Sequence, residues 1–380
     1  MASIMDYILW RGDLTFKKYP FNEIDGLIMS QLAYMKIDSL VPDKFDRKIT
    51  LRKIAYKYAI ANSNKVSSKK VSSVINPLTQ ELFQVMGEST RFGNIQIANF
   101  SNIFDTKKQE QFAAYSARLD DKSLCIVYRG TDETITGWKE DFNLCIMNPV
   151  PGQKDALEYL EKTAKNINGK IRLMGHSKGA NFAMYAGAFC SSKTRKRIIK
   201  IYNYDGPGFL AEITEKPEFM KSLLKLESYL PQSSLVGVLL NHPKEYTIVH
   251  SNEKSGITQH DPFSWELHGP NFQTLESRTK DSIFIEKTAH SWLTKLNIEE
   301  RKKFLITLFA IIDKTGVKSV DEFGENWSRH SAIVFTELRA ADSETRETVW
   351  KIIQVFFQAA RANIPQTKAL QLFLNQFILH

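Results

Sequence analysis

The sequence predicts an α/β fold in which a mostly parallel sheet is flanked by helices, with helical extensions at both ends of the chain. Between residues 124 and 204, short apolar runs alternate with helical stretches, the order expected of a parallel sheet with right-handed crossovers. On either side of that region, apolar residues recur with helical spacing. We therefore expect a helical part over residues 1–90, a central core over 91–290 and a second helical part over 291–380.

The N-terminal part carries mainly helical periodicity. One apolar face is formed by residues spaced one, three or four apart: Leu27, Ile28, Leu32 and Met35. Pro42 and Pro77 are expected to interrupt the helices. Two segments then alternate with a period of about two, Ile95–Ala98 and Gln111–Ala117, and a polar turn separates them. This pattern predicts an antiparallel pair of strands.

The central core begins with Leu124–Tyr128, which is apolar throughout, as a strand buried on both faces requires. The elements predicted after it are a helix over about 153–167, a strand over 170–174, a helix that ends near Phe189 and a strand over 198–204. Two further strand candidates are Leu223–Leu230 and Tyr246–His250. Together these elements predict repeated strand-helix-strand units.

Beyond about His290 the pattern is helical again. Two apolar faces are predicted, one with Phe304, Leu305, Leu308, Ile311 and Ile312, the other with Val349, Ile352, Ile353, Phe356 and Phe357. Packing in the core is the favoured interpretation of both. A membrane-surface helix is the alternative for the second, although Lys351 and Arg361 give it only a thin basic face.

Composition excludes several classes of protein. Hydrophobic residues make up 43% of the chain and charged residues 24%, which is typical of globular domains and not of disordered or collagen-like chains. The longest apolar stretch, Phe304–Ile312, is far shorter than the roughly 18 residues of a membrane-spanning helix.

The N-terminus lacks the basic and apolar regions of a secretion signal, so a cytoplasmic location is expected. Three widely spaced cysteines exclude a disulfide framework and a CxxC motif, and we interpret them as small buried apolar residues.

The formal net charge of +9 comes from 51 basic and 42 acidic residues. Its densest cluster follows the predicted 178–189 helix: Lys193, Arg195, Lys196, Arg197 and Lys200. We interpret this cluster as a solvated loop, with a site for phosphate, anionic lipid or nucleic acid as the alternative. Because no zinc-finger, RRM or P-loop pattern accompanies it, no nucleic-acid partner is expected, while weak contact with an anionic membrane surface stays a hypothesis.

A G-x-S-x-G motif, Gly175-His176-Ser177-Lys178-Gly179, stands directly after a predicted strand and directly before a predicted helix. A sharp turn there would expose the Ser177 hydroxyl, and the flanking glycines would avoid clashes with neighbouring backbone. The N-terminus of the helix would offer the backbone N–H of Lys178 to an oxyanion. Ser177 is therefore the candidate nucleophile, and a purely structural turn is the alternative.

A serine nucleophile needs a base, which in this type of fold follows the serine in the chain. The later histidines are His242, His250, His260, His268, His290, His330 and His380. His260 is favoured because it lies on the loop beyond the last predicted strand, and His250, His268 and His290 stay open as alternatives. We interpret His176 as a packing or orienting residue, because a neighbour across a sharp turn points away from the serine.

The carboxylate that would orient the base is harder to place. Asp205 is the favoured candidate because it lies at the end of a predicted strand, although it could equally serve as an Asx-type turn residue in its Gly-Pro-Gly loop. Glu227 falls within the next predicted strand, and Asp261 adjoins the proposed base. The second oxyanion donor is expected from the loop after the first core strand, where Thr131 could offer its backbone N–H and its hydroxyl.

These motifs resemble the class 3 lipase group of α/β-hydrolases, and in particular a bacterial branch of lipase-like proteins of uncertain substrate. The strings that carry the resemblance are Ile126-Val127-Tyr128-Arg129-Gly130-Thr131, Trp138 with Asp141, the 175–181 string, Asp205-Gly206-Pro207-Gly208-Phe209, Pro231-Gln232-Ser233-Ser234-Leu235-Val236-Gly237 and Gln259-His260-Asp261-Pro262-Phe263-Ser264-Trp265. It covers roughly residues 90–270. The resemblance implies an α/β-hydrolase fold, Ser177 as nucleophile, His260 as base and Thr131 with Lys178 as oxyanion donors.

The sequence departs from that group at two positions. Class 3 lipases would place the acid on the loop after the strand that follows the Asp205 loop, where this chain has Gln232, Ser233 and Ser234. The acid has therefore moved to Asp205, or a polar residue only orients the histidine, or the enzyme is weakened. Lys178 also replaces the apolar residue or glutamine common in lipases, and we expect its side chain to be solvated, with contact to a substrate anion as the alternative.

The sequence thus predicts a serine hydrolase that cleaves a carboxylic ester such as an acylglycerol or phospholipid through an acyl-enzyme. Thioesterase and amidase activities share the same machinery and stay open. A catalytically weak or inactive binding module for a lipid or protein partner is the competing hypothesis, motivated by the missing acid and the large helical flanks. No metal or organic cofactor is implied.

Overall fold

A computed structural model describes residues 2–42, 47–62, 76–254 and 256–319, together with individual positions between 333 and 358. The helices are α1 (Ile4–Arg11), α2 (Glu23–Leu32), α3 (Leu51–Asn62), α4 (Leu78–Glu88), α5 (Thr90–Gly93), α6 (Ile135–Asn143), α7 (Pro151–Asn166), α8 (Lys178–Phe189), α9 (Ser192–Arg197), α10 (Ala211–Thr214), α11 (Pro217–Ser222), α12 (Lys280–Lys295) and α13 (Ile298–Lys314). The strands are β1 (Ile49–Thr50), β2 (Gln96–Asp105), β3 (Glu110–Arg118), β4 (Leu124–Tyr128), β5 (Ile171–His176), β6 (Ile198–Tyr204), β7 (Leu226–Pro231), β8 (Thr247–Val249), β9 (Leu267–His268), β10 (Asn271–Phe272) and β11 (Thr274–Leu275).

Nine of these strands form one mixed sheet in the order β1-β2-β3-β4-β5-β6-β7-β8-β11. The pairs from β4 to β8 are parallel, which confirms the predicted strand-helix-strand units. The pairs at both edges are antiparallel, so the prediction of a mostly parallel sheet holds only for its centre. The physical reason lies in the connections, since strands joined by a short turn such as that between β2 and β3 can pair only antiparallel.

Helices cover both faces of this sheet. In β4, Cys125 and Val127 belong to a buried cluster shared with α1 to α4, while Leu124, Ile126 and Tyr128 belong to a second cluster shared with α7, α8 and α11. All five residues of β4 are therefore buried, as its uninterrupted apolar sequence predicts. The α/β fold class is confirmed.

Several element boundaries differ from prediction; β2, for example, was expected to end at Ala98 and continues to Asp105. Residues 223–225, expected to open a strand, form a short 3-10 turn, and β7 begins at Leu226. The N-terminal part is also not purely helical, because β1 joins the edge of the sheet beside β2. A two-residue strand carries too little periodicity to be recognised in a sequence. The division into parts at residues 90 and 290 stays a prediction.

A buried ion pair joins two of the N-terminal helices, α2 and α5. Both oxygens of Asp25 accept hydrogen bonds from Arg91, and neither side chain is exposed. The same guanidinium donates to the backbone carbonyls of Leu14, Tyr19 and Pro20, which fixes the loop between α1 and α2. The predicted apolar face of α2 is buried as expected.

The C-terminal part is helical as predicted, within the positions described. Leu305 and Ile311 of α13 are buried, and so are Val349 and Ile352. Ile353, Phe356, Phe357 and Arg361, which complete the second predicted face and its basic side, lie outside the described residues. None of the helices described is both long and apolar enough to cross a membrane.

The basic cluster after α8 is a short helix, α9, and not the solvated loop that we predicted. Arg195 donates to two carbonyls at the end of α8, and Arg197 donates to carbonyls at and after the end of α7. Lys200 pairs with Glu227 of β7. Since helix ends leave carbonyls without intrahelical donors, these cations serve the fold, and Lys193 and Lys196 are the members that stay exposed.

Candidate active site

Ser177 occupies a sharp turn between β5 and α8. Its backbone has φ 58° and ψ −135°, a strained conformation for a residue with a side chain. A Cβ at Gly175 would lie 2.2 Å from the backbone of Gly179, and a Cβ at Gly179 would lie 2.2 Å from the carbonyl oxygen of Tyr128. Both glycines of the motif are therefore required by close backbone approach, and the serine between them is only half-buried.

The structure brings His260 and Asp205 together across 55 residues of sequence. His260 ends a 3-10 turn (Thr258–His260) beyond β8, and its Nδ1 lies 2.6 Å from Oδ2 of Asp205. Asp205 follows β6 directly, is fully buried and adopts a positive φ of 50°, which aspartate tolerates better than most residues. Because a carboxylate can only accept, Nδ1 of His260 carries the hydrogen and Nε2 is left as the basic nitrogen.

The alternative bases and acids are engaged elsewhere or lie on the surface. His250 pairs through Nδ1 with Glu266 at 2.6 Å, and both His268 and His290 are exposed. Among the carboxylates, Glu227 pairs with a lysine, and Asp261 accepts from the Asn76 amide and the Phe263 backbone. Of the acids considered, Asp205 is the one that faces the favoured base.

The loop where class 3 lipases would carry their acid also contacts Asp205. Ser234 is fully buried and donates from Oγ to Oδ1 of Asp205 at 2.5 Å, and the Gly237 backbone N–H donates to the same oxygen at 3.1 Å. The neighbouring Ser233 instead meets Thr279 at the start of α12. The loop thus supplies donors to a carboxylate that comes from the preceding strand, a relation that the sequence pattern could not indicate.

We expect Ser234→Ala to lower kcat about tenfold, because a hydrogen bond to a charged group is worth about 1.5 kcal/mol or more. Asp205 would keep the Gly237 donor but lose the one that fixes its plane toward His260. The matched control is Ser233→Ala, one residue away on the same loop, which should leave kcat within about twofold. Steady-state ester hydrolysis checks both, and equal losses in the two variants would contradict this role for Ser234.

The expected oxyanion loop lies directly beside the turn that holds Ser177. A Cβ on Gly130 would come within 2.6 Å of the His176 carbonyl oxygen and 3.0 Å of the Ser177 Cβ. The hydroxyl of the next residue, Thr131, donates to Oδ2 of Asp141 at 2.5 Å. Of the two donors expected from Thr131, the hydroxyl is therefore committed to Asp141, and the backbone N–H remains for an oxyanion. Lys178 opens α8, so its N–H has no intrahelical acceptor.

The side chain of Lys178 is buried, so the prediction that it is solvated is wrong. Its Nζ donates to Oε2 of Glu140 at 2.9 Å, and neither side chain is exposed. Asp141 lies 3.9 Å from the same ammonium. Burial raises the pKa of Asp141 to about 6, and the charge of Lys178 works against that rise. Glu140 was not singled out from the sequence, since a buried partner 38 positions away leaves no local signal.

His176 is buried between two hydrogen-bonding partners. Its Nε2 lies 2.8 Å from the backbone carbonyl oxygen of His260, and its Nδ1 lies 3.2 Å from the hydroxyl of Tyr34. The rings of His176 and His260 are 4.5 Å apart between centroids. Burial, with the neighbouring His260, lowers the pKa of His176 well below its usual value, so this ring stays neutral.

No group of three or more potential metal ligands occurs among the residues described. Cys125 and Cys190 are buried free thiols, as their interpretation as small apolar residues predicts, whereas Cys145 is partly exposed. The side chains described above for the candidate site are those of a serine, a threonine, two histidines, carboxylates and a lysine.

A family model described as Mbeg1-like matches residues 86–310. Solved structures of lipases are also similar, at low identity. A crystal structure of M37 lipase is 17% identical to this chain, with a TM-score of 0.37, and the match covers 58% of this chain and 70% of the lipase chain. The native propeptide complex of Rhizomucor miehei lipase is 15% identical, covers 57% and 79%, and has a TM-score of 0.34. No curated protein matches the chain.

Proposed function

Because this chain belongs to the Mbeg1-like family, a lipase-like family, we propose that it is a serine hydrolase with an α/β-hydrolase fold that cleaves carboxylic esters. The observation that carries the proposal is the pairing of His260 with Asp205 beside the strained turn at Ser177. A nucleophile, a base and an orienting carboxylate are the three groups that acyl transfer to serine requires.

In the proposed mechanism, Ser177 attacks the acyl carbonyl while Nε2 of His260 takes its proton. Asp205 holds the imidazole in the tautomer that leaves Nε2 basic, and it stabilises the imidazolium that forms. The same nitrogen then protonates the leaving alcohol as the carbon–oxygen bond of the ester breaks. Water, deprotonated by His260, attacks the acyl-enzyme and releases the acid and free Ser177.

Two backbone donors would stabilise the oxyanion. They are the N–H of Lys178 at the start of α8 and the N–H of Thr131 on the adjoining loop. Preformed donors of this kind are worth about 10²–10³ in kcat each. The Thr131 hydroxyl acts in this scheme through Asp141, by fixing the loop that presents the backbone N–H.

The competing hypothesis, a catalytically weak binding module, was motivated by the missing acid in the loop after β7. The contact between Asp205 and His260 supports the enzyme over that hypothesis, because it supplies a carboxylate from the loop after β6. Thioesters and amides need the same groups, so the leaving group stays open within the proposal. The proposal also includes a lipid ester as the substrate and a weak contact with an anionic membrane. The membrane contact rests on the net charge of +9.

The test is covalent labelling of the purified chain with a fluorophosphonate probe, followed by hydrolysis of esters of increasing acyl length. We expect the wild type to be labelled, and both Ser177→Ala and His260→Ala to lose labelling, because an unactivated serine hydroxyl reacts poorly at neutral pH. Circular dichroism of each variant controls for folding. A correctly folded wild type that is not labelled would count against the hydrolase and favour the binding module.

A further inference from the structure

Tyr34 brings the N-terminal part of the chain to the candidate active site. It follows the end of α2, and its backbone N–H donates to the carbonyl of Gln31. Its side chain is largely buried, with 8% of the residue exposed. Its hydroxyl lies against the turn that carries Ser177, 142 positions away from its contact in that turn. The mechanism described above makes no use of this residue.

The direction of the hydrogen bonds around His176 follows from its partners. The carbonyl oxygen of His260 can only accept, so Nε2 of His176 must carry a hydrogen. Since the ring is neutral, Nδ1 has none and accepts from the Tyr34 hydroxyl. A chain of two hydrogen bonds therefore runs in one direction, from Tyr34 through His176 to the backbone of His260.

The same hydroxyl also faces the oxyanion loop. A Cβ at Gly130 would lie only 2.2 Å from the Tyr34 oxygen, so glycine is needed for this approach. Burial raises the pKa of Tyr34, so its hydroxyl keeps the hydrogen that it donates to His176. The Tyr34 hydroxyl oxygen therefore lies against the oxyanion loop at Gly130 and is hydrogen-bonded to the ring of His176. That ring is in turn hydrogen-bonded to the backbone of His260.

We propose that Tyr34 is a positioning residue for hydrolysis: through His176 it fixes the backbone of the base, and through Gly130 it fixes the loop that presents the Thr131 N–H. This inference rests on the proposed function. Asp205 fixes the rotation of the His260 side chain through its contact with Nδ1. It does not hold the His260 backbone, from which that side chain extends. A displacement of about 1 Å in a catalytic group can cost about 10² in rate, so a tether at that carbonyl matters for turnover.

The test compares Tyr34→Phe with a matched control, Tyr115→Phe. Tyr115 is fully buried, and its hydroxyl donates to the carbonyl of Met29 in α2 at 2.7 Å. Both variants lose one buried hydrogen bond between the N-terminal part and the rest of the chain, so similar decreases in melting temperature are expected. We expect Tyr34→Phe to lower kcat and the fluorophosphonate labelling rate about tenfold with KM unchanged, and Tyr115→Phe to change neither.

A double-mutant cycle with His176→Phe tests whether the two residues act through one chain. We expect His176→Phe to lower the labelling rate about 10²-fold, and the double variant to be slower than His176→Phe by much less than tenfold, because the tether through His176 is already broken and only the approach to Gly130 remains to be lost. Effects of Tyr34→Phe and His176→Phe that multiply would overturn the connection.

The outcomes separate this inference from the proposed function. If the folded wild type is not labelled, the hydrolase itself fails and the positioning role with it. If the wild type is labelled and Tyr34→Phe reacts at the same rate, only the positioning role is overturned. A Tyr115→Phe variant that loses as much activity as Tyr34→Phe would also overturn it, because the loss would then follow from a loosened N-terminal part.

Discussion

Replacing Asp205 by asparagine is expected to lower kcat for ester hydrolysis by about 10⁴, the loss known for the same change in a well-studied serine hydrolase triad. The reason lies in the donors around this side chain. Oδ1 accepts from Ser234 and from the Gly237 N–H, so the amide oxygen of asparagine must take that place. Its NH₂ group then points at Nδ1 of His260, which has to become an acceptor. The hydrogen moves to Nε2, and the base can no longer take a proton from Ser177.

The matched control for this change is Glu266→Gln. Glu266 makes the same kind of pair with His250, carboxylate to Nδ1 at 2.6 Å, and its side chain is nearly as buried as that of Asp205. We expect it to leave kcat within about twofold, since His250 has no role in the proposed mechanism. Loss of activity in Glu266→Gln with retention in Asp205→Asn would instead make His250 the base and refute our assignment. Far-ultraviolet circular dichroism and melting curves check that both variants fold.

The centre of the sheet could be predicted because its physics is local. A strand buried on both faces needs an uninterrupted apolar run, as β4 has, and the alternation of such runs with helices fixes the parallel order. The edges could be predicted only in part: the alternation of period two indicated the antiparallel pair β2–β3, which is confirmed, but not the strand beyond it. β1 spans only two residues, and its place beside β2 depends on how the whole N-terminal part packs. The 3-10 turn before β7 is apolar enough to resemble a strand in sequence.

The candidate site also contains residues that could be predicted from the sequence and residues that could not. Ser177, Asp205 and His260 each follow a strand or end the loop after one, and the ends of parallel strands meet at one edge of a sheet, so position alone favoured them. The residues that support them are different. Ser234, Glu140 and Tyr34 act through partners between 29 and 142 positions away, which no local pattern encodes. The prediction of a solvated Lys178 fails for the same reason, since a lysine beside a turn is ordinarily solvated and Glu140 leaves no local signal.

The buried ion pair of Lys178 and Glu140 joins the start of α8 to α6, beneath the proposed oxyanion site. Glu140 also accepts from the backbone N–H groups of Gln111 and Gly152, so it ties β3 and α7 to the same point. Removing one partner of such a pair leaves an uncompensated buried charge. We therefore expect Lys178→Met and Glu140→Gln each to lower the free energy of unfolding by about 3–5 kcal/mol, measured by urea denaturation.

The control for this loss is Lys139→Met, one position before Glu140. Lys139 also forms an ion pair, with Asp313 at 2.7 Å, but more than half of the Asp313 side chain is exposed. Water screens such a pair, so the expected cost is about 1 kcal/mol or less. The double variant Lys178→Met/Glu140→Gln should cost less than the sum of the single changes, because it strands neither partner.

The pH dependence gives the sharper test, because the two single variants should respond in opposite directions. The group that responds is Asp141, whose pKa burial raises to about 6, above its unfolded value. Lys178→Met removes the charge that restrains this rise, so Asp141 costs more stability at neutral pH and the deficit relative to wild type shrinks as the pH falls. Glu140→Gln removes a neighbouring negative charge that adds to the rise, so its deficit shrinks as the pH rises. Unfolding curves that moved in parallel with pH would show that packing, and not the buried charges, carries the effect.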